Sequence, residues 1–306
     1  AFFLWSAIFS SAQIGKLKVG TACVTVSPTV FPIQLRSGKS SFVHDPLHVR
    51  AVAFENGKGR AVICLIDAIG IGREMSDIAK SKAAKRTGWK TEEMLICATH
   101  THSAPKGGTG MPGREAYEKL KHDKLEEAIV LAIERLQLAK IGFSSEEEPS
   151  EVRNRRWFLQ PGTMPPNPLG KKDQVNTNAN RNHLVSPAGP VDPELCIIDV
   201  RNSRNKPLAL IANYALHYVG GVPKKIDDKG REVGMASADY FGEFSRIMPY
   251  RIGGTNPPTD FVAMMTNGAS GDINNLVFTG TRAPRSPFEQ IRIVASKTAD
   301  AAWRAV

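Results

Sequence analysis

Two histidines separated by one residue, His100 and His102, are the strongest chemical signal in the 306-residue sequence. They lie in the segment 98–105, Ala-Thr-His-Thr-His-Ser-Ala-Pro, directly after the apolar run 94–97. Side chains two residues apart in extended backbone project to the same side, so both imidazoles can converge on one ion or one substrate. Taken alone, the pair is equally compatible with two ordinary polar loop histidines.

A third histidine, His217, occupies a similar position. It follows the apolar run 208–214 and precedes Gly220 and Gly221. A polar ring at the tip of a buried strand, beside flexible glycines, suits a ligand better than a core residue. A hydrogen-bonded structural histidine remains the alternative.

Two further polar features end predicted strands. The strand at 261–265 leads into the polar turn 266–275, which an ordinary turn would also explain. Asp67 ends the strand at 61–66, where its carboxylate could orient a metal-bound imidazole or cap a helix. We therefore expect three strand ends to point at one place.

The elements that would position these side chains alternate along the chain. Apolar patterning predicts a helix at 74–87, a helix at 114–138, and strands at 17–24, 49–55, 61–66, 94–98, 196–200, 208–214 and 261–265. The stretch 156–193, rich in Pro, Asn and Gly, is predicted to be a long irregular loop. The expected fold class is α/β, with layered mixed β-sheets flanked by helices.

The composition is that of a soluble globular protein, and 40 Lys and Arg against 30 Asp and Glu give a net charge of +10. Such a surface attracts anions, including acidic lipid headgroups, so peripheral contact with a membrane surface is open. The basic residues are scattered without interleaved aromatics, which argues against nucleic-acid binding. The four cysteines each lie in an apolar run, which predicts buried packing thiols rather than disulfides.

Several motifs, taken in order, resemble the neutral/alkaline, non-lysosomal ceramidase family. They are Ala-Thr-His-Thr-His-Ser-x-Pro at 98–105, Asn-Arg at 154–155, Asn-Tyr-Ala-Leu-His at 213–217, Ser-Ala-Asp-Tyr at 237–240 and Asn-Gly-x-x-Gly-Asp-Ile-Asn at 267–274. The segments 19–22 and 45–51 also resemble the family's first strands. The similarity runs from about residue 17 to the end.

The resemblance implies a domain that hydrolyses the amide of an N-acyl sphingoid lipid, with zinc held by two histidines, a glutamate and a tyrosine. Carried over by motif, His100 and His217 become the zinc ligands. His102 then faces the substrate and hydrogen-bonds the reacting group, although a third-ligand role stays open. Arg155 corresponds to an arginine that helps to hold the substrate oxygen. The implied glutamate and tyrosine would follow residue 306.

The sequence departs from the family at two positions. Ceramidases carry a serine, regarded as a nucleophile, where this chain has Asn274, and tend to have serine where it has Arg156. Because an amide side chain cannot be acylated, the hypothesis that remains is attack by water. Zinc with an open position lowers the pKa of bound water to about 7 and polarises the scissile carbonyl. Asn274 would donate its amide hydrogen to the oxyanion, while His102 and Arg155 steady the developing charge.

We therefore expect a zinc-dependent amidohydrolase that acts on a small-molecule or lipid amide. The alternative is an exported glycan- or lipid-binding protein without turnover on the same fold. The apolar residues 1–13 resemble the remnant of a signal peptide, which predicts a secreted or periplasmic protein. Residues 14–306 are expected to form the ceramidase-like catalytic domain, truncated at the C-terminus because 291–306 has helical spacing without a stop signal.

Overall fold

The computed structural model describes residues 16–36, 38–106, 112–173, 175–177, 181–226, 228–230 and 232–306. The expected signal peptide at 1–13 lies outside the described residues. Among the helices that are described, none combines the length and the apolar character needed to cross a membrane.

The described residues alternate between strands and helices, as the sequence predicts. The helices are α1 (Arg73–Thr87), α2 (Pro112–Glu134), α3 (Asp239–Gly253) and α4 (Glu289–Arg304), with short 3-10 helices at Thr91–Glu93, Pro149–Glu151 and Arg181–His183. The strands are β1 (Lys18–Thr25), β2 (Ile33–Leu35), β3 (Gly38–Val43), β4 (His48–Asn56), β5 (Gly59–Ile66), β6 (Met94–Ala98), β7 (Gln137–Glu147), β8 (Arg153–Asn154), β9 (Arg156–Leu159), β10 (Val175–Thr177), β11 (Leu184–Pro187), β12 (Glu194–Asn202), β13 (Pro207–Tyr214), β14 (Lys225–Ile226), β15 (Glu232–Ala236), β16 (Val262–Asn267) and β17 (Ile273–Asn274). The predicted α/β class, with mixed sheets flanked by helices, is confirmed.

An eight-stranded sheet in the order β16-β13-β12-β7-β1-β4-β5-β6 is the centre of the fold. Its outermost pairs, β5 with β6 and β13 with β16, are parallel, and its inner pairs are antiparallel. A parallel pair needs a crossover connection, which α1 supplies at one edge and α3 at the other. The segments that follow β6, β13 and β16 are therefore the ends of parallel strands.

Each half of this sheet is covered by its own pair of helices. The half formed by β1, β4, β5 and β6 packs against α1 and α2 through a core that includes Ala51, Ile66 and Leu125. The half formed by β12, β13 and β16 packs against α3 and α4 through a core that includes Leu210 and Phe244. Apolar residues at alternate strand positions and along one helix stripe are what this packing requires.

The two halves also pack against each other, because the sheet coils and brings together the faces that the helices do not cover. Val19, Val52 and Leu65 from one half share a buried cluster with residues of the other half, among them Ile211 and Met264. The result is four layers, with helices outside and two parts of one sheet inside. The strand β7 joins the halves: it pairs with β1 only at Lys18↔Leu138 and Val19↔Gln137, but with β12 along that whole strand.

A glycine permits the closest contact between a helix and this sheet. A Cβ on Gly20 in β1 would lie 2.0 Å from the backbone carbonyl oxygen of Ala132, near the C-terminus of α2. No side chain can occupy that space, so only glycine allows α2 to lie this close to β1.

Three sequence-based expectations about the fold are wrong. The helix predicted at 114–138 ends at Glu134, and the chain turns into β7, whose residues are mostly exposed on both faces and so lack an apolar alternation. The stretch 156–193 is only partly irregular, because three of its segments form a small sheet of β10, β9 and β11. All four cysteines are free, but Cys23 and Cys196 are exposed rather than buried, and Cys23 lines an open cleft beside α3 and α4.

A buried ion pair joins the centre of the sheet to the end of β5. The Arg50 guanidinium lies 2.9 Å from the Asp67 carboxylate, and their side chains are 4% and 0% exposed. Asp67 also accepts the backbone N–H of His48. These bonds hold Asp67 inside the fold, so it does not orient an imidazole of the histidine cluster, contrary to the expectation from sequence.

Replacing Arg50 by alanine would leave the Asp67 carboxylate buried without its cation. We expect Arg50→Ala to lower the free energy of unfolding by roughly 3–5 kcal/mol, measured by chemical denaturation. The matched control is Arg73→Ala, whose ion pair with Asp77 is exposed and is worth about 0–1 kcal/mol. Equal losses in the two variants would contradict the structural role assigned to the buried pair.

Candidate metal centre

Three histidine rings from two distant strand ends meet at one place. His100 and His102 follow β6, and His217 follows β13. One ring nitrogen from each lies within 4.8 Å of the other two. The Nε2 atom of His102 lies 3.3 Å from Nε2 of His100 and 3.0 Å from Nε2 of His217. The three histidine side chains that the sequence places at strand ends therefore lie close together in the structure.

Hydrogen bonds set the protonation of these rings. Nδ1 of His100 lies 2.6 Å from the carbonyl oxygen of Ile69, so Nδ1 donates and Nε2 carries the lone pair. Nε2 of His217 lies 3.0 Å from Nε2 of His102, and because the His102 ring carries its hydrogen at that atom, Nε2 of His217 is the acceptor and carries a lone pair. Both rings therefore present a lone pair to the cluster.

His102 has the opposite arrangement. Its Nδ1 lies 3.3 Å from Nη1 of Arg36. A guanidinium only donates hydrogen bonds, so Nδ1 of His102 accepts and Nε2 carries the hydrogen. His102 thus presents an N–H to the cluster, whereas His100 and His217 present lone pairs.

The rings of His102 and His217 are held in their uncharged form. Burial, followed by the charges of His100, His217, Arg36 and Arg155, lowers the pKa of His102 to about 4. Burial, followed by Arg155 and His100, lowers the pKa of His217 to about 4, against a smaller opposing effect of the Ser270 backbone. Neutral imidazole is the form that binds metals, so these rings need not release a proton to bind one near neutral pH.

The spacing of the nitrogens fits a metal ion. Two imidazole nitrogens at 2.0–2.1 Å from one tetrahedral ion lie roughly 3.3 Å apart. The separations of 3.0 and 3.3 Å both involve Nε2 of His102 and so match a set in which His102 is a third ligand, while the ligand nitrogens of His100 and His217 lie within 4.8 Å of each other. Within the part of the chain that the structure describes, the cluster contains histidines alone. Imidazole donors suit transition metals, including zinc, rather than calcium or magnesium.

A buried carboxylate from another element fixes the histidine loop. Asp239, 1% exposed at the start of α3, accepts hydrogen bonds from Thr101 Oγ1 at 2.6 Å and Ser103 Oγ at 2.8 Å. The backbone of His102 also lies close enough to this carboxylate to lower its pKa. His100 and Asp239 both adopt left-handed backbone, with φ of 65° and 52°, a strained conformation found at functional sites.

The polar turn 266–275 forms hydrogen bonds with the two segments that carry His100 and His217. Asn267 donates from Nδ2 to the carbonyl oxygen of Thr99, next to His100. Asn275 accepts the N–H of Val219 at 3.0 Å and donates to its carbonyl at 3.1 Å, two residues after His217. The third strand end therefore positions the site through its amides. The sequence shows that this turn is polar, but it does not predict which hydrogen bonds its side chains form.

Arg155 is bound to the same turn as His217. Its Nε and Nη2 atoms donate to the carbonyl oxygen of Gly271 at 3.0 and 2.6 Å, and Ser270, the preceding residue, holds His217. The side chain remains partly exposed at the edge of the site. Its guanidinium is thus placed beside the cluster by a backbone contact.

Asn274 is less directly connected to the centre. It lies in β17, which pairs with β8, and is 5% exposed. Its Oδ1 accepts the backbone N–H of Leu276 at 2.9 Å. Among the hydrogen bonds of the described residues, none joins Asn274 to the three rings.

The sequence offered Asp67 as the group that orients an imidazole of the cluster. In the structure the carbonyl oxygen of Ile69, two residues after Asp67, orients the ring of His100.

Comparison with known proteins gives a fold. No protein-family model and no curated protein matches the chain. Two solved structures share its fold: a neutral ceramidase from Pseudomonas aeruginosa, at 16% identity and a TM-score of 0.68, and a ceramidase complexed with C2, at 15% and 0.68. Each covers 95% of this chain, which spans 45% and 44% of theirs. The predicted resemblance to neutral ceramidases is confirmed for the fold, and the low identity agrees with a divergent sequence.

Asp239 is predicted to position the histidines. Asp239→Ala would free Thr101, Ser103 and the backbone at His102, so we expect metal affinity to fall by roughly 10–100-fold, the effect of losing a group that orients ligands. Competition with a chromogenic chelator measures this. Asp239→Asn, which keeps one acceptor oxygen, should lose less.

Asp300→Ala is the control for this variant, since Asp300 forms a partly exposed ion pair with Arg251 away from the loop. Metal affinity should not change in the control. If Asp239→Ala lost thermal stability while it bound metal as tightly as the unmodified protein, Asp239 would have a structural role only.

Proposed function

We propose that this protein is a zinc-dependent hydrolase of amide bonds. The observation that carries the proposal is the division of roles within the histidine cluster: two rings present lone pairs and one presents an N–H. A metal-assisted hydrolase needs ligands and a donor toward the reacting carbonyl oxygen. The fold shared with neutral ceramidases supports the same reaction class.

His100 and His217 are the residues that would hold the ion through Nε2. Zinc in such a donor set acts as a Lewis acid toward the carbonyl and lowers the pKa of water to about 7, so hydrolysis needs no side-chain nucleophile. This agrees with Asn274 at the position of the family serine. The lowered pKa of His217 keeps its nitrogen ready to bind metal.

The other residues of the site would act on the substrate. His102 directs its Nε2–H toward the space between the rings, where it can donate to the carbonyl oxygen as negative charge develops. Arg155, fixed by Gly271, adds a positive charge on the His217 side. Asn274 has its amide oxygen bound to Leu276, so Nδ2 is the atom that would donate to the oxyanion.

The substrate class and location follow from the same proposal. The substrate is a small-molecule or lipid amide, with N-acyl sphingoid lipids as the first candidates because the fold is that of ceramidases. The net charge of +10 favours contact with an anionic membrane surface. Export to a secreted or periplasmic location is part of the proposal and rests on residues 1–13. An exported binding protein without turnover is the alternative, favoured by the replacement of the family serine by Asn274.

Single substitutions of the histidines separate metal binding from turnover. We expect His100→Ala and His217→Ala to lose stoichiometric zinc and amide hydrolysis together. His102→Ala should keep zinc but lower kcat by about 10²–10³-fold, the effect of losing one donor to the oxyanion. Metal analysis and assays on N-acyl lipids and N-acyl amino compounds give the two readouts.

His122→Ala, on α2 and outside the cluster, is the control and should keep both properties. Full zinc content and full turnover in His100→Ala would refute the proposal. Zinc binding without hydrolysis across a broad panel of amides and esters would favour the binding protein.

Asn274 has a separate test. Asn274→Ala should lower kcat by about 10²–10³-fold with little change in KM, because the amide would act only on the developing charge. Asn275→Ala is the comparison: it removes the bonds to Val219, so it should also weaken zinc binding. Unchanged kcat in Asn274→Ala would exclude Asn274 from the reaction.

A further inference from the structure

Two arginines from unrelated segments lie beside the histidine cluster. The guanidinium of Arg36, the residue after β2, contacts Nδ1 of His102. The guanidinium of Arg155 donates to the carbonyl oxygen of Gly271, and its charge helps to lower the pKa of His102 and His217. The rings therefore lie in the field of two cations.

Neither arginine forms an ion pair within the part of the chain that the structure describes. The charge of Asp272 raises the pKa of Arg155, but Asp272 does not pair with it, and its carboxylate accepts a hydrogen bond from Asn154. An exposed cation without a partner carboxylate is suited to an anionic ligand.

The electrostatics around the rings agree with this geometry. The charged side chains with the largest effects on the pKa of His102 and His217 are arginines and other histidines. Burial and then the neighbouring Arg156 lower the pKa of Arg155, so a third guanidinium lies close by. Arg156 stands where ceramidases tend to have serine, and this substitution therefore adds positive charge near the site.

We propose that the substrate of this centre is an amide with an anionic oxygen group, a carboxylate or a phosphate, within a few bonds of the scissile nitrogen. This inference rests on the proposed hydrolase function and narrows its substrate. The guanidinium fork matches both groups through paired hydrogen bonds. Gly271 takes the Nε hydrogen and one Nη2 hydrogen of Arg155, which leaves the second Nη2 hydrogen and both Nη1 hydrogens as donors. A neutral N-acyl sphingoid lipid has no group that uses this charge.

The reaction is an ordinary hydrolysis. The amide C–N bond breaks, and a C–O bond forms to the oxygen of one water molecule. One water proton goes to the leaving nitrogen and the other to solvent, so the products are a carboxylate and an amine that still carries the anionic group. No oxidant or other co-reactant is needed.

Matched substrates test the inference on the zinc-loaded protein. N-Dodecanoyl glycine is compared with its methyl ester, and N-dodecanoyl phosphoethanolamine with N-dodecanoyl ethanolamine. We expect kcat/KM to be at least about tenfold higher for the anionic member of one pair, the effect of one hydrogen bond to a charged group. The pair that shows the preference identifies carboxylate or phosphate. The preference should fall as salt is added.

Arg36→Ala should lower the anionic-to-neutral ratio by about tenfold, and Arg36→Lys should restore part of it, because lysine keeps the charge without the fork. Arg60→Ala, on β5, should leave the ratio unchanged. Reading a ratio separates substrate recognition from any loss of turnover through the contact with His102.

The outcomes distinguish this inference from the proposed function. Hydrolysis of both members of each pair at equal rates, or an unchanged ratio in Arg36→Ala, would overturn the anionic substrate and leave the hydrolase intact. If no amide were hydrolysed, the hydrolase proposal would fail. Anionic recognition would then be tested by calorimetric titration with N-dodecanoyl glycine, N-dodecanoyl phosphoethanolamine and their neutral partners. Tighter binding of an anionic member would support recognition by the arginines. Equal binding of both members of each pair would overturn it.

Discussion

The packing of the eight-stranded sheet against itself is the contact on which the rest of the structure depends. Six strand spacings separate β13 from β6 in the strand order, so in a flat sheet the segments after them would lie roughly 29 Å apart. Apolar side chains such as Val52 and Met264 share one buried cluster only because the sheet coils. The same coil closes the distance between His100 and His217 to a few ångströms. The site is thus a product of the hydrophobic core, since no local sequence feature joins its parts.

Hydrogen bonds give chemically identical side chains different roles. The carbonyl of Ile69 leaves the lone pair of His100 facing the cluster, Arg36 leaves the N–H of His102 facing it, and that N–H makes Nε2 of His217 an acceptor. A peptide carbonyl cannot be titrated or removed by substitution, so the His100 ring is oriented by the fold itself. The role of His102 depends on a side chain, and that makes it the most adaptable of the three.

The sequence was most informative where strand ends and polar residues coincide. Apolar runs predicted most strands of the large sheet, and histidines at their tips predicted which side chains meet at the centre. The pattern failed for β7, because a strand with both faces exposed has no alternation to detect. Sequence also did not reveal the roles of Asp67 and Asp239, because each is a single polar residue at the end of an element. The structure shows that Arg50 binds Asp67, whereas Asp239 accepts hydrogen bonds from the histidine loop.

The narrow connection between β1 and β7 has a mechanical consequence. Only two residue pairs link the halves of the sheet along that edge, while His100 and His217 belong to different halves and lie more than a hundred residues apart in sequence. A metal ion shared by these rings would therefore act as a cross-link across the whole molecule. By closing so long a loop it would reduce the entropy of the unfolded chain, much as a disulfide does. In this architecture the cofactor and the tertiary fold would stabilise each other.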